Sequence, residues 1–246
     1  MFSPKKSLGQ NFLNDKNIIN KIVKITNIKN EKIIEIGPGT GNLTNEIINS
    51  APKELILIEK DINLYKFLIN KYLNNDIVKI LNEDILNYNL ENFNKYKIIS
   101  NLPYNISSKF LMKTIILNKN IKEIVCMIQS ELADKFNIAY GKMNKYKFAC
   151  NYCCKYEIKF NVSSNVFYPK PKVKSKVVNF ILKKNNIDLK KFDYFIKNFF
   201  TNKRKKIKSN KYFYNKINSK YLNYRYEDLS YSDILIIYKG FKFSIS

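Results

Sequence analysis

The 246-residue chain contains no histidine and no tryptophan. The first absence removes imidazole as a general base, a proton shuttle and a metal ligand. Glycine and proline number six each, so the places where they gather are punctuation rather than background. Acidic residues are few, 20 against 44 basic ones, for a formal net charge of +24. A field of that sign seeks a polyanion, nucleic acid ahead of an acidic membrane. The abundance of Asn, Lys, Ile and Tyr, residues of A/T-rich codons, inflates the magnitude but not the sign. No apolar run approaches the roughly 20 residues of a membrane span. Met1 to Lys6 is followed by no apolar core of a signal peptide. A soluble protein of the reducing cytoplasm is expected, with no membrane partner.

Cysteine is scarce as well: Cys126, Cys150, Cys153 and Cys154. Cys150-x-x-Cys153 has the spacing of half a zinc or redox pair, but the second half is missing. The last three are read as sharing one face of a helix, as buried reduced thiols. No metal site is expected.

Three of the glycines fall at alternate positions in Gly37-Pro38-Gly39-Thr40-Gly41. A short apolar run, Lys32 to Ile36, reads as the strand before them, and a helix through Ile47 and Ile48 follows. Strand, glycine turn and helix open a doubly wound α/β fold. The pattern is not that of a dinucleotide site, because the third spacing of G-x-G-x-x-G lands on Asn42. This, with the missing histidine, argues against an oxidoreductase. The next strand, Glu54 to Glu59, ends in an acid 18 residues after Gly41, near the roughly 20 expected of a carboxylate that takes a ribose hydroxyl pair. A helix from Asp61 to Leu73 and a strand from Ile77 to Leu81 lead to Asp84, placed to accept from an adenine amino group. Each acid alone reads as a solvated strand-end charge; in series they point to a ligand.

Tyr96 to Ile99 reads as a fourth strand and Phe110 to Leu117 as a helix. Between them lies Asn101-Leu102-Pro103-Tyr104, at the strand end where open α/β sheets bind ligands. Asn101 brings an amide oxygen that accepts from an amino group. Pro103 pushes Leu102 toward extended geometry, turning its carbonyl outward as a second acceptor. Tyr104 offers a face on which a base can stack. By itself the tetrapeptide reads as a proline turn. After Gly37, Gly39, Gly41, Glu59 and Asp84 at successive strand ends, it completes the layout of an S-adenosylmethionine site, with the methyl group aimed at an amine.

The rest of the chain is read in order. Lys5 to Leu13 is a polar loop, and a helix starts near Asp15. A fifth strand covers Ile121 to Ile128, Ser130 opens a helix, Ala139 to Lys142 is a loop, and Tyr146 to Cys154 is a helix. Two further strands, Tyr156–Val162 and Val177–Leu182, flank a proline-stiffened crossover. There Phe167 is expected to close the base pocket opposite Tyr104, with Lys170 and Lys172 on phosphate. After Lys183-Lys184-Asn185-Asn186 the pattern turns helical. Phe192, Phe195, Ile196, Phe199 and Phe200 form one face, and the same helix is predicted to continue through Lys203-Arg204-Lys205-Lys206-Ile207-Lys208. Six cations between 203 and 211 suit a phosphate backbone, with binding that weakens steeply in salt. A last short helix runs from about Ser230 to Ile237.

Four segments carry a resemblance: Ser7-Leu8-Gly9-Gln10-Asn11-Phe12-Leu13, Glu35-Ile36-Gly37-Pro38-Gly39-Thr40-Gly41, Asn101-Leu102-Pro103-Tyr104-Asn105-Ile106-Ser107 and Phe167-Tyr168-Pro169-Lys170-Pro171-Lys172-Val173-x-Ser175. In this order, over nearly the whole chain, they resemble the rRNA adenine dimethyltransferase family. Leu102, the Lys203–Lys206 run and Arg225-x-Glu227-x-Leu229-Ser230 resemble its small-subunit branch; the large-subunit, macrolide-resistance branch is the rival. The resemblance implies a Rossmann-like class I methyltransferase domain over residues 1–184 and a small all-helical rRNA-binding domain over 185–246. It implies S-adenosylmethionine as cofactor and two methyl groups on N6 of each of two adjacent adenosines in a 3′-terminal hairpin of small-subunit rRNA. It further implies a monomer that acts in small-subunit biogenesis on a pre-30S-type particle. Carried over, the cofactor contacts are Asn11, Leu13, Gly37, Glu59, Asp84 and Asn101, beside Gly39 and Gly41 of the same turn. The target-adenine contacts are Asn101, Leu102, Tyr104 and Phe167, with Pro103 in the same catalytic loop. The RNA contacts are Lys142, Lys170, Lys172, Lys203, Arg204, Lys205 and Lys206; at Lys142 the family often has Arg, which loses a fork of donors. A non-catalytic assembly factor and an organellar relative with a transcription role are the remaining readings. An intact Asn-Leu-Pro-Tyr loop speaks against the first, and the absence of a transit-like N-terminus against the second.

Overall fold

The computed structural model describes residues 4–5, 8–117, 120–183, 187–201, 205–241 and 243. Nearly continuous apolar runs make β2 (Lys32–Ile36), β3 (Glu54–Ile58), β4 (Val78–Leu81), β5 (Tyr96–Asn101) and β6 (Ile121–Gln129), all parallel. The central strands are buried on both faces, while the edge strand β4 is only partly covered. β7 (Cys154–Val162) and β9 (Ser175–Leu182) complete the sheet, with β9 antiparallel to both its neighbours. The order is β4-β3-β2-β5-β6-β9-β7. The winding reverses between β2 and β5, so a crevice opens outside their carboxyl ends, where a doubly wound sheet takes its ligand.

A separate ribbon crosses this end of the sheet. β1 (Phe12–Leu13) pairs antiparallel with β8 (Phe167–Tyr168), Phe12 opposite Tyr168 and Leu13 opposite Phe167. It ties the N-terminal segment to the proline-rich crossover.

Side chains alternate across the sheet with period two. Ile33, Leu55, Leu57 and Ile99 pack with Ile19 and Ile22 of α1 (Lys16–Val23) and Ile47 of α2 (Asn42–Asn49). Ile34, Ile56 and Ile98 face the other side, toward α4 (Tyr104–Leu117) and α6 (Lys145–Cys153). α3 (Ile62–Lys71) and α5 (Ser130–Phe136) complete the helices around the sheet. Helix starts follow local chemistry: Asp15 accepts from the Ile18 N–H, Asp61 from the Asn63 N–H, and Ser230 and Asp233 form a capping box. No helix among the described residues is long and apolar enough to cross a membrane.

The second apolar cluster runs without a break into the C-terminal region. Phe192 of α7 (Leu189–Phe199) stacks on Tyr152 of α6 at 4.9 Å, and Tyr238 of α8 (Tyr231–Gly240) meets the same Tyr152 ring edge-on at 5.4 Å. The boundary expected at 184/185 lies outside the described residues.

Three expectations need correction. The basic run does not extend α7: the helix ends at Phe199 with Phe200 as its C-cap, and Ile207–Ser209 is a separate 3-10 turn. The apolar stripe stops at Phe200, and Ile207 is instead buried, its N–H donating to the Tyr224 carbonyl at 2.9 Å. Lys203 and Arg204 lie outside the described residues; Lys205 and Lys206 follow, exposed. Cys154 is not on the helix with Cys150 and Cys153 but opens β7, its sulfur 3.3 Å from that of Cys150. All four thiols are buried and free, and burial pushes the Cys126 thiol well above its ordinary range. Finally, the helix after Asn-Leu-Pro-Tyr begins at Tyr104 rather than Phe110. Pro103, which has no N–H to leave unpaired, directly precedes it, and its carbonyl accepts from the Ile106 and Ser107 N–H groups.

Candidate active site

The carboxyl ends of β2, β3, β4 and β5 line one cleft. Its floor is the glycine turn. Gly39 sits at φ +60°, and a Cβ there would come within 2.9 Å of the Phe12 ring. Only glycine lets the turn pass under the N-terminal segment. The Gly39 N–H donates to Glu59 Oε2 at 3.3 Å, and the Asp61 N–H donates to Glu59 Oε1 at 2.8 Å. Glu59 therefore stands at the end of β3 as a buried, oriented carboxylate. Burial raises its pKa, and the two backbone donors pull it back. Asp84, past the end of β4, pairs with Lys60 at 2.9 Å and accepts from the Leu86 N–H at 3.0 Å. The lysine holds its carboxyl below the usual range.

At the end of β5, the Asn101 side chain has one settled half and one open half. Its Nδ2 donates to the Asn11 carbonyl at 2.8 Å. That fixes the amide plane and leaves Oδ1 with no hydrogen bond among the described residues, on a cleft-lining side chain. The Leu102 carbonyl receives only a long contact from Ser107 Oγ, 3.4 Å, because that hydroxyl is directed to the Pro103 carbonyl at 2.7 Å. Tyr104, fixed in the first turn of α4, is half-buried, with its hydroxyl 2.6 Å from Ser175 Oγ.

The N-terminal segment roofs the cleft. Lys5 pairs with Asp61 at 2.8 Å, and Gln10 Nε2 donates to the same carboxylate at 3.3 Å. Asn42 Nδ2 donates to the Leu13 carbonyl at 2.9 Å. Asn11, Leu13, Gly37, Gly39, Glu59, Asp84, Asn101, Leu102, Pro103 and Tyr104 all line the cleft. Gly41 does not; it precedes α2 behind the turn. Phe167 does not either. Its ring is buried in the core beside Leu13 and Ile19, because its strand pairs with β1 and turns that side chain inward. Lys142 is engaged within the chain by Glu227 at 3.2 Å and Asp228 at 3.1 Å.

A family model described as "Ribosomal RNA adenine dimethylase" matches residues 1–239. The chain belongs to this family. It is 40% identical over 239 residues to a protein of Mycoplasmopsis synoviae named ribosomal RNA small subunit methyltransferase A, covering 93% of this chain and 89% of that one. A Hydrogenobaculum protein of the same name is 38% identical over 242 residues, covering 97% and 93%. Among solved structures, a dimethyladenosine transferase from Plasmodium falciparum superposes with a TM-score of 0.76 at 23% identity, covering 92% and 95%. The 23S rRNA methyltransferase ErmE does so at 0.73 and 20%, covering 94% and 99%. These two likenesses bear on the fold alone, an α/β sheet flanked by helices with a helical C-terminal region.

The dimethylase is an S-adenosylmethionine-dependent enzyme. The cleft fits that cofactor on its own evidence: a turn held too close to Phe12 for any side chain, a buried carboxylate at ribose distance in sequence, and apolar walls from Ile58, Leu64 and Ile85. Bound there, S-adenosylmethionine supplies an electrophilic methyl group on a sulfonium.

Glu35 is one of the cleft residues outside the predicted set, although it stands in the Glu35-Ile36-Gly37 run. It is buried at the end of β2, with Oε2 accepting from Thr44 Oγ at 2.6 Å. Burial, and secondarily Glu59, push its pKa from 4.5 up to about 8. The unfolded chain releases this proton near pH 4.5, while the folded chain keeps it to about pH 8. The folded state thus binds more protons across that window, and stability falls as pH rises through it. Glu35→Gln keeps an acceptor for Thr44 and removes the titration. Urea midpoints from about pH 5 to about pH 8 are expected to decline less in the variant. Parallel declines would show that Glu35 is ionised in the folded protein.

Proposed function

We propose that this enzyme methylates adenine N6 in small-subunit ribosomal RNA, two methyl groups on each of two adjacent adenosines in a 3′-terminal hairpin, as a step of small-subunit biogenesis. The observation that carries the chemistry is the half-engaged Asn101 amide. An adenine amine is a poor nucleophile because its lone pair is delocalised into the ring. Oδ1 of Asn101 and the Leu102 carbonyl are two acceptors side by side. Accepting both N6 hydrogens in the first transfer and the one that remains in the second, they draw the lone pair out of conjugation and toward the methyl donor. The N6–carbon bond forms as the carbon–sulfur bond breaks, and the surplus proton on N6 leaves to water. No strong base is required; orientation and local electrostatics supply the rate.

Tyr104 is assigned to hold the adenine by stacking, its ring fixed by the Ser175 contact. Tyr104→Ala is expected to lower kcat/KM for RNA by roughly 10- to 100-fold, since stacking on an aromatic is worth about 1–3 kcal/mol per base. Tyr104→Phe keeps the ring and is expected to lose far less. Equal losses in steady-state assays would argue for a hydroxyl role instead.

The small-subunit target is supported by the names of the relatives quoted above. RNA contact is supported by charge. Every charged residue between 205 and 225 is a cation, and all of them, Lys205 and Lys206 included, are exposed. None is in an ion pair among the described residues. Exposed Lys170 and Lys172 extend this field on the crossover. We assign residues 1–184 to catalysis and the region after 184 to RNA docking. Labelled methyl transfer onto unmethylated small subunits and onto large-subunit rRNA, with mapping of the modified adenosines, tests the target. Label on large-subunit RNA alone would overturn it.

A further inference from the structure

The glycine turn is gripped from outside as well as from within. At the end of α3, Lys71 Nζ donates to the Thr40 carbonyl at 2.9 Å. The Tyr72 hydroxyl shares its proton between the Gly41 carbonyl at 3.1 Å and Asn45 Oδ1 at 2.7 Å. The Lys71 ammonium also lies 5.2 Å from the centre of the Tyr72 ring, which locks the two side chains together. The fit is tight. Gly41 has φ +81°, and a Cβ there would stand 2.4 Å from the Tyr72 oxygen and 3.0 Å from Lys71 Nζ.

Neither Lys71 nor Tyr72 lines the cleft, whereas Thr40 and Asn42 do. Any influence on the ligand therefore passes through the backbone. The C=O and N–H of a trans peptide point to opposite sides of the chain. Holding the Gly41 carbonyl toward α3 turns the Asn42 N–H the other way. That N–H belongs to the first turn of α2, where amides have no helical partner. The Gly41 carbonyl also accepts from the Asn45 N–H at 3.1 Å, the first hydrogen bond of α2. The tyrosine adds a lateral hold on the same oxygen, and the lysine holds the Thr40 peptide before it, in a glycine-rich turn that has other orientations open to it. We propose that Lys71 and Tyr72 are positioning residues for the methyl donor: they clasp the Thr40 and Gly41 carbonyls and so hold the turn's amides in the orientation that binds it.

Such a clasp acts on donor binding and leaves the transfer step alone. Tyr72→Phe keeps the ring and removes the hydroxyl. It is expected to raise the Kd for S-adenosylhomocysteine, measured by calorimetry, and the KM for S-adenosylmethionine, each roughly 3- to 10-fold. The kcat at saturating donor should stay within about twofold, and the thermal midpoint should hold. Lys71→Met is expected to act in the same direction. A second comparison is specific to the packing. Gly41→Ala should weaken S-adenosylhomocysteine binding more in the wild-type background than in Tyr72→Phe, where the oxygen 2.4 Å from the new methyl is gone. An unchanged Kd in folded Tyr72→Phe would overturn the proposal. So would a fall in kcat at unchanged KM, or an equal cost of Gly41→Ala in the two backgrounds. If Gly41→Ala alone does not fold, the Tyr72→Phe binding result decides.

Discussion

Asn101→Ala is expected to abolish methyl transfer, with kcat down on the order of 10²–10³-fold or more, while S-adenosylhomocysteine still binds. The asymmetry follows from what the side chain touches. Its Nδ2 serves the protein, donating to the Asn11 carbonyl at 2.8 Å, and its Oδ1 is left for the substrate. Alanine removes the acceptor that orients the amine. The binding surface for the donor loses one anchor of the N-terminal roof. Lys5 and Gln10 on Asp61, and Asn42 on the Leu13 carbonyl, still hold that roof. A modest rise in Kd is therefore expected beside the collapse in turnover. Asn101→Asp separates the two jobs, since it keeps an acceptor and loses the donor to Asn11. Single-turnover transfer to unmethylated RNA, with calorimetric binding of S-adenosylhomocysteine, reads both. Near-normal turnover in the alanine variant would remove Asn101 from the mechanism.

Glu59→Ala has the opposite signature: a loss of donor affinity of about 10²-fold or more, from two charge-assisted hydrogen bonds at roughly 1.5–3 kcal/mol each. The carboxylate is buried at the end of β3 and oriented by the Gly39 and Asp61 amides. Removing it takes away the acceptor for the ribose hydroxyls. It also leaves the Gly39 and Asp61 N–H groups facing an apolar gap, so the glycine turn loses its inner support. Glu59→Gln retains one acceptor oxygen and is expected to fall between. Because burial raises the pKa of this carboxyl, wild-type affinity should weaken on acidification as the group is protonated, and the alanine variant should lack that trend. Calorimetry across pH checks it; a Kd within about threefold of wild type for Glu59→Ala would contradict the role.

Much of the fold was legible because its signals are local. Apolar runs with period two or 3.6, an Asp or Ser at a helix start, and clustered glycines each follow from short-range sterics and hydrogen bonding. The strand-end residues Gly37, Glu59, Asp84 and Asn101 were readable for the same reason, since position along a strand fixes which end of a parallel sheet a residue reaches. Misreadings came where long-range packing overrode local pattern. The lysine run looked like more of α7, but Ile207 is drawn into the aromatic core and the helix ends before it. Phe167 pairs with β1, which places its ring in the core beside its cross-strand partner Leu13, a neighbour that sequence spacing does not show.

The sequence by itself determined the α/β class, the glycine turn, the order of the strand-end groups and the sign of the field, all consequences of local pattern and composition. Only the tertiary structure decided which atoms of those groups are free. It settled the Asn101 amide through a carbonyl 90 residues away, answered Lys142 with Glu227 and Asp228, and buried Glu35 until its proton stays on. Hydrogen-bond partners and desolvation are properties of three-dimensional neighbours, and the spacing of residues along a chain does not contain them.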